Sequence, residues 1–346
     1  MNAQSFTDYL QAYGELRPPS LRYREGDDFA GWQRRFRKQL EAWRSPVPDR
    51  VPPAAEVLET VAAGDHTRHL LRIPVSAISA VPAYLLVPGN LAPGERRPGL
   101  VALHGHYRHG IDTIAGVVND PGDPDNDLRH AYALHAVRAG YVVVVPALWG
   151  WPGRDGHLGL VGARDRCNTI QMAAAMYGLN LVDLHVQDAQ AALDVLAARP
   201  EVDPERLGCL GNSTGGRMTM WLAIWDERLR ACVPAGCMNT FRERSGKLSS
   251  CGLQYPFGLL RLGDVPELFS LIAPRPMQLQ AGEGDALITP ADRDAMAAAV
   301  RLAYGRLGAG TCFDYVLHGD GHLLQWQAAA PFLATHLRRQ PGPDSA

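Results

Sequence analysis

The 346-residue sequence has little net charge and no apolar run as long as a membrane span. Lysine and arginine total 34 against 36 aspartate and glutamate residues, so no overall electrostatic attraction draws the chain to nucleic acid or to an anionic membrane. The first ten residues also lack the pattern of a signal peptide. We therefore expect a cytoplasmic protein with a small-molecule substrate, no nucleic-acid partner and no membrane partner. A homo-oligomer is compatible with the sequence.

Cysteine is sparse as well, with six residues and no Cys-x-x-Cys pair. Cys209, Cys232 and Cys312 lie in or beside apolar runs and are predicted to be buried thiols. Cys237 and Cys251 fall in one predicted loop, and the sequence leaves open whether they form a disulfide.

Residues 1–53 predict a helical cap followed by a linker. Trp32, Phe36, Leu40 and Trp43 recur at helical spacing, with basic residues mostly between them. A basic helix of this kind could bind a partner, but we favour an apolar stripe that packs on the body while the charges face water. The proline-rich residues 45–53 indicate a stiff linker.

Residues 54–340 predict one α/β domain, and residues 341–346 a loose tail. Short antiparallel strands are expected between residues 55 and 88, and strands and helices alternate from about residue 100 to 338. This alternation predicts a mostly parallel central sheet with helices on both faces. Residues 236–263 have weak periodicity and are predicted to form a lid or insertion.

The segment Gly211-Asn212-Ser213-Thr214-Gly215 lies between a predicted strand and a predicted amphipathic helix. Gly-x-Ser-x-Gly arises easily by chance among 35 glycines, but in this position it indicates a nucleophilic serine on a sharp turn. A phosphate-binding loop is excluded because Arg217 and Met218 stand where lysine and serine or threonine are required.

Ligand sites of parallel sheets lie at the carboxyl ends of the strands. There the sequence places Ser213, then Asp285, then His322, which is the chain order of an α/β-hydrolase triad. His322 would act as the base and Asp285 would orient it. Glu283 and Asp320 remain alternative acids, and His318 an alternative base.

Two backbone N–H groups, those of His106 and Thr214, are predicted to form the oxyanion hole. Loop aromatic residues and one arginine are expected near the site, either as a substrate pocket or as lid packing, and the sequence supports both equally. These residues are Trp149, Trp151, Arg154, Tyr255 and Phe257.

From about residue 98 to 337 the chain resembles the α/β-hydrolase superfamily, and within it the bacterial acetyl xylan esterase and dienelactone hydrolase-like group. The matching segments are His104-Gly105-His106, Gly211 to Gly216, Ile272 to Pro276, Gly282 to Asp285, and Gly321-His322. The resemblance implies an α/β-hydrolase fold and ester hydrolysis with no metal or organic cofactor. Asn212 and the segment Trp149 to Gly153 depart from the group's usual pattern, and the second departure implies that one side of the pocket is remodelled.

Two other function classes have partial signals in the sequence. A metallohydrolase could use His104, His106 and His109, but Arg108 stands where a zinc loop of that spacing needs an aspartate. The acidic residues 120–127 lack the spacing of a calcium loop and predict a solvated loop. A non-catalytic binding protein is disfavoured because all three residue types of the triad are present. Within the serine hydrolases, a lactone or amide hydrolase and an acyltransferase stay open.

Overall fold

A computed structural model describes residues 5–24, 26–119, 121–155, 166–247 and 251–337. The described strands are β1 (Glu56–Ala62), β2 (His66–Ser76), β3 (Ser79–Pro88), β4 (Arg97–Leu103), β5 (Val142–Pro146), β6 (Val202–Asn212), β7 (Leu229–Ala235), β8 (Met277–Gly282) and β9 (Phe313–His318). The described helices are α1 (Phe6–Leu16), α2 (Phe29–Trp43), α3 (Ile111–Ala115), α4 (Tyr132–Arg138), α5 (Arg166–Met176), α6 (Leu181–Ala197), α7 (Thr214–Trp225), α8 (Phe241–Lys247), α9 (Val265–Ser270), α10 (Pro290–Arg306) and α11 (Trp326–His336).

The strands of the described residues form one sheet in the order β1-β2-β3-β5-β4-β6-β7-β8-β9. The first three strands pair antiparallel, and β3 joins β5 antiparallel. All pairings from β5 through β4 to β9 are parallel. This arrangement confirms the predicted α/β-hydrolase fold with a mostly parallel central sheet. The carboxyl ends of β4, β6, β7, β8 and β9 consequently meet at one edge.

Helices cover both faces of the sheet, which explains why β5 is buried along its whole length. On one face, α2, α6, α7 and α10 contribute to a large apolar core that includes Trp32, Trp221 and Val300. On the other face, α3, α4 and α11 form a second core around Tyr132 and Leu333.

Local residue types explain where several helices begin and end. The Thr289 hydroxyl accepts a hydrogen bond from the Asp292 N–H at the start of α10, and Pro290 occupies the first helical position. Asp127 caps a short 3-10 turn, Leu128–His130, and the regular helix α4 begins only at Tyr132. Gly140 follows α4 with φ +94°, a conformation that suits glycine and ends the helix.

Helix α2 buries Trp32, Phe36 and Leu40 almost completely. The predicted split between an apolar face and a water-facing basic face is wrong at Arg37. Its half-buried guanidinium donates hydrogen bonds to the carbonyl oxygens of Ile224 and Leu271, and burial lowers its pKa. The backbone carbonyls of α7 and the segment after α9 therefore hold α2 in place through this arginine.

The predicted lid region contains helix α8 and two 3-10 turns, Gly252–Gln254 and Leu259–Arg261. Phe241, Leu253 and Leu259 from this region are buried in the same core as α6 and α7. Helix α5 packs on the first of these turns and has no counterpart in the sequence prediction, because its apolar residues are spread around the helix without one dominant face. No helix among the described residues is both long and apolar enough to cross a membrane. The predicted tail lies outside the described residues.

Candidate active site

Ser213 lies on the sharp turn between β6 and α7, with φ +59° and ψ −119°. It is the one non-glycine residue with a positive φ in the described part of the chain. Gly215 permits the turn, because a Cβ there would lie 1.8 Å from the Leu103 carbonyl oxygen. A Cβ at Gly211 would lie 2.5 Å from the Gly215 carbonyl oxygen. The two glycines thus let α7 begin directly against β4 and β6.

Thr214 is the first residue of α7 and is buried. Its backbone N–H belongs to the first turn, where amides have no partner within the helix. The side chain is held separately, since the Thr214 hydroxyl accepts a hydrogen bond of 2.8 Å from Gln254. The turn thus presents a serine hydroxyl at the positive end of a twelve-residue helix.

The loop after β4 carries His106 and is anchored next to the serine. Asn212 donates from Nδ2 to the Tyr107 hydroxyl at 3.0 Å, and Trp151 donates from its ring N–H to the Tyr107 carbonyl oxygen at 2.6 Å. His106 itself is exposed. The structure therefore brings both predicted oxyanion donors to the edge of the sheet where Ser213 lies.

His322 and Asp285 are hydrogen-bonded, with 2.7 Å between Nδ1 and Oδ2. The Asp285 side chain is fully buried, and its other oxygen accepts the Leu287 backbone N–H at 2.9 Å. The His322 side chain keeps 29% of its surface exposed. This is the geometry of a histidine oriented by a buried carboxylate, with its other ring nitrogen free to reach a substrate.

Gly236 connects the histidine to the serine turn. The Ser213 N–H donates to the carbonyl oxygen of Ala235, the residue before Gly236, at 2.9 Å. A Cβ placed on Gly236 would lie 3.1 Å from His322 Cε1 and 2.5 Å from Asn212 Oδ1. Asn212 in turn donates to the His322 carbonyl oxygen at 3.2 Å. The imidazole therefore packs on the backbone that holds Ser213.

Glu283, Asp320 and His318, the alternative acids and the alternative base, lie in environments unlike that of the Asp285–His322 pair. Glu283 is exposed, and Asp320 accepts a hydrogen bond of 3.2 Å from Gln325. His318 is 5% exposed, with its Nδ1 3.9 Å from the nearest Asp320 oxygen. Burial lowers the pKa of His318. Among these candidate acids and bases, the short carboxylate–imidazole contact is the one between Asp285 and His322.

His104 is fully buried and structural. Its Nδ1 donates to the Gly105 carbonyl oxygen, and its Nε2 accepts the Leu148 N–H at 3.0 Å. Burial lowers the pKa of His104 to about 4, so the ring is neutral. His109 instead contacts Asp123 at 3.1 Å. Since both His104 nitrogens are occupied, the three histidines do not form the metal site considered from their spacing.

Trp149 and Arg154 stack on each other, with the guanidinium carbon 3.6 Å from the ring centroid. Arg154 is 6% exposed and forms a 2.5 Å ion pair with buried Asp188. Burial raises the pKa of Asp188, and the guanidinium opposes that effect. Trp151 is buried beside His104 and His106. These three predicted pocket residues pack mainly against the protein itself.

Tyr255 and Phe257 follow the Gly252–Gln254 turn of the predicted lid region. The Tyr255 ring is 6.5 Å from that of Phe241, and its carbonyl oxygen accepts a hydrogen bond from Gln171. Phe257 is 46% exposed and lines a groove against α1, and its carbonyl oxygen accepts the Trp43 ring N–H. Phe257 thus faces the N-terminal helices.

Asn239 has a role that the sequence analysis missed. Its side chain and carbonyl both accept hydrogen bonds from buried Arg217, at 2.8 and 2.9 Å. Its Nδ2 donates to the Leu287 carbonyl oxygen, and the Leu287 N–H donates to Asp285. A continuous hydrogen-bond path therefore runs from the helix behind Ser213 to the acid. The available signal was the polar side chain four residues after the end of the apolar strand β7.

All six cysteines are free thiols, so Cys237 and Cys251 do not form a disulfide. Five are buried and Cys312 is half-buried. Burial raises the pKa of the Cys232 thiol to about 12 and that of Cys237 to about 11.

Comparisons with known proteins agree with the fold. The model of the dienelactone hydrolase family matches residues 126–247. A Bacillus subtilis protein named "Putative hydrolase YtaP" is 27% identical over 294 residues, covering 83% of this chain and 92% of its own.

Two solved structures share the fold. A "putative acetyl xylan esterase" from Bacteroides fragilis has a TM-score of 0.77 at 16% identity, covering 96% of this chain and 95% of its own. A glucuronoyl esterase from Solibacter usitatus has a TM-score of 0.67 at 18% identity, covering 92% of this chain and 97% of its own. The chain therefore resembles the dienelactone hydrolase family over the matched residues and shares its fold with these two esterases.

Proposed function

We propose that this chain hydrolyses a carboxylic ester of a small molecule through an acyl-enzyme on Ser213. The observation that carries the proposal is the 2.7 Å contact between Asp285 and His322, packed through Gly236 on the turn that bears Ser213. The family match and the esterase neighbours support the same reaction class. We also propose that the protein is located in the cytoplasm.

In the first half-reaction the Ser213 oxygen attacks the ester carbonyl while His322 Nε2 takes the hydroxyl proton. Asp285 holds the Nδ1–H tautomer and stabilises the imidazolium that forms. The backbone N–H groups of His106 and Thr214 bind the oxyanion, each contributing about 2.7–4 kcal/mol to the lowering of the barrier. The tetrahedral intermediate collapses, His322 protonates the departing alcohol, and Ser213 carries the acyl group.

In the second half-reaction a water molecule attacks the acyl-enzyme while His322 takes its proton. Collapse returns the proton from His322 to Ser213 and releases the carboxylic acid. Each step uses groups of this chain. A lactone or amide would react on the same triad, and an alcohol in place of water would make the protein an acyltransferase. These alternatives differ from ester hydrolysis in the leaving group or in the molecule that accepts the acyl group.

The test is a substrate panel of acetyl esters, longer acyl esters, methyl uronates, lactones and anilides, with and without a competing alcohol. We expect ester turnover that a chelator does not reduce and that Ser213→Ala lowers by about 10⁶-fold. Ser20→Ala is the matched control, because Ser20 is an exposed serine that donates to the Arg261 carbonyl oxygen.

Covalent labelling provides a readout independent of the substrate. A fluorophosphonate should label the wild type and Ser20→Ala at Ser213, and should leave Ser213→Ala unmodified. Undiminished turnover by a folded Ser213→Ala protein would refute the nucleophile assignment.

A further inference from the structure

His106, Cys167 and Cys251 converge beside the candidate active site. One ligand atom from each, an imidazole nitrogen or a sulfur, lies within 4.8 Å of the other two. The His106 Nε2 and Cys167 Sγ atoms are 3.7 Å apart. The three residues come from the loop after β4, from the start of α5 and from the segment before the Gly252–Gln254 turn. The sequence gives no hint of this cluster, because its members are far apart in the chain.

Close packing fixes the cluster. A Cβ at Gly252 would lie 2.4 Å from the Asn168 side-chain oxygen and 2.9 Å from the Asn168 Cα, so only a glycine lets this segment approach α5 so closely. That approach brings Cys251 to Cys167. The Trp151 ring packs edge-on against His106 with 5.2 Å between centroids, and its N–H is bonded to the Tyr107 carbonyl oxygen. The imidazole and both sulfurs are thus held before any ion binds.

From this geometry we propose that His106, Cys167 and Cys251 bind one Zn²⁺ ion, with water as the fourth ligand. Two thiolates and one imidazole form a donor set that selects zinc over magnesium or calcium. A tetrahedral zinc ion with Zn–S near 2.3 Å and Zn–N near 2.0 Å holds its donors roughly 3.5–3.8 Å apart. The His106–Cys167 separation already fits, and Cys251 needs a movement of about 1 Å at most.

The two sulfurs are buried and the imidazole is exposed, so the ion enters from the solvent side. Binding replaces the two thiol protons, and the released protons leave to solvent. His106 also belongs to the loop whose backbone N–H is the proposed oxyanion donor. We therefore expect the bound ion to inhibit hydrolysis by fixing this loop and covering the approach to Ser213. This consequence rests on the proposed function, whereas zinc binding does not.

The test uses the reduced, metal-stripped full chain under anaerobic conditions. Co²⁺ serves as a spectroscopic probe, followed by its displacement with Zn²⁺. We expect one equivalent of Co²⁺ to give thiolate-to-cobalt charge-transfer bands and the visible bands of tetrahedral cobalt. Cys167→Ser, Cys251→Ser and His106→Ala should each weaken binding by at least about 100-fold, since even outer-shell changes cost 10–100-fold. Cys312→Ser is the matched control, because Cys312 is outside the cluster and should bind as the wild type does.

Activity is measured on the same samples. Stoichiometric Zn²⁺ should inhibit the wild type and Cys312→Ser, and should leave Cys167→Ser and Cys251→Ser active. The zinc site would be overturned if the charge-transfer bands were absent while all thiols of the protein could still be titrated. It would also be overturned if Cys167→Ser bound Co²⁺ as tightly as the wild type does. Intact cobalt bands in a protein with no esterase activity would leave the zinc site standing and count against the proposed function alone.

Discussion

The Nδ1 atom of His322 lies 2.7 Å from the Asp285 carboxylate, and the two residues are 37 positions apart in the chain. A carboxylate can only accept a hydrogen bond, so the proton of the neutral imidazole is on Nδ1. The Nε2 lone pair is therefore available to take a proton from a hydroxyl.

Replacing Asp285 by asparagine should lower kcat by about 10⁴-fold, because an amide can donate to the imidazole and favours the wrong tautomer. Glu283→Gln and Asp320→Asn serve as controls and should retain activity within a few-fold. Steady-state kinetics on the best ester of the panel decide the assignment. A larger loss in either control than in Asp285→Asn would move the acid to that residue.

Gly236→Ala should lower kcat by about 100-fold, the usual effect of a 1 Å displacement of a catalytic group. The new methyl group would meet the Asn212 side chain and the His322 ring at a φ of +60°. Gly305→Ala is the matched control, since it lies near the exposed end of α10 with open space around it, and alanine favours the helix. Full activity of Gly236→Ala would show that His322 does not depend on this contact.

Asn212→Ala should lower kcat by roughly 10–100-fold with a smaller effect on KM, because it removes the hydrogen bonds that hold both the Tyr107 loop and the His322 loop. Tyr107→Phe removes only one of these bonds and should have a smaller effect. Kinetics of the two single variants and the double variant measure their coupling. Additive losses would indicate that Asn212 acts independently of Tyr107.

Stability should fall as the pH drops below about 6.5, the ordinary pKa of histidine. Burial lowers the pKa of His104 to about 4 and that of His185 to about 3. Between these values and about 6.5 the unfolded chain binds more protons than the folded one, so each histidine removes about 1.4 kcal/mol per pH unit. Urea unfolding between about pH 7 and pH 5 measures this slope.

His185→Gln keeps an acceptor for the Trp149 N–H but cannot bind a proton. Its free energy of unfolding should depend on pH with a slope smaller by about one proton. An unchanged slope would contradict the neutral, buried state of His185.

Arg154→Leu should destabilise the fold by about 3–5 kcal/mol, because it leaves the Asp188 carboxylate buried without its partner. Arg129→Leu removes an exposed ion pair with Asp127, which water screens, and should destabilise the fold far less than Arg154→Leu does. Denaturant unfolding and KM are measured together. A raised KM with unchanged stability would instead assign Arg154 to the substrate pocket.

The fold class was predictable because hydrophobic periodicity, the alternation of strands and helices along the chain, and capping signals are local. The apolar run of β5 and the cap at Thr289 required no knowledge of distant residues. Helix α5 was missed because its sequence has no dominant apolar face, and Arg37 was misplaced because its partners lie far along the chain.

The candidate catalytic residues follow from chain order and strand ends, and their roles stay predictions until tested. What surrounds them could not be predicted. Asn212 and His322 are 110 residues apart, and the contact of Gly252 with Asn168 depends on how two loops pack. Loop aromatic residues have no periodicity that fixes where their rings point, so Phe257 could not be separated from Trp151 by sequence alone.

The backbone conformation of Ser213 also affects the thermal stability of the protein. A side chain at φ +59° costs of order 1–3 kcal/mol, and glycine relieves that cost. The chain should therefore melt at a higher temperature with Ser213→Gly than with its natural serine, although that variant has no nucleophile. Thermal tolerance and reactivity oppose each other at this position, and selection for a more heat-resistant variant would tend to remove the serine itself.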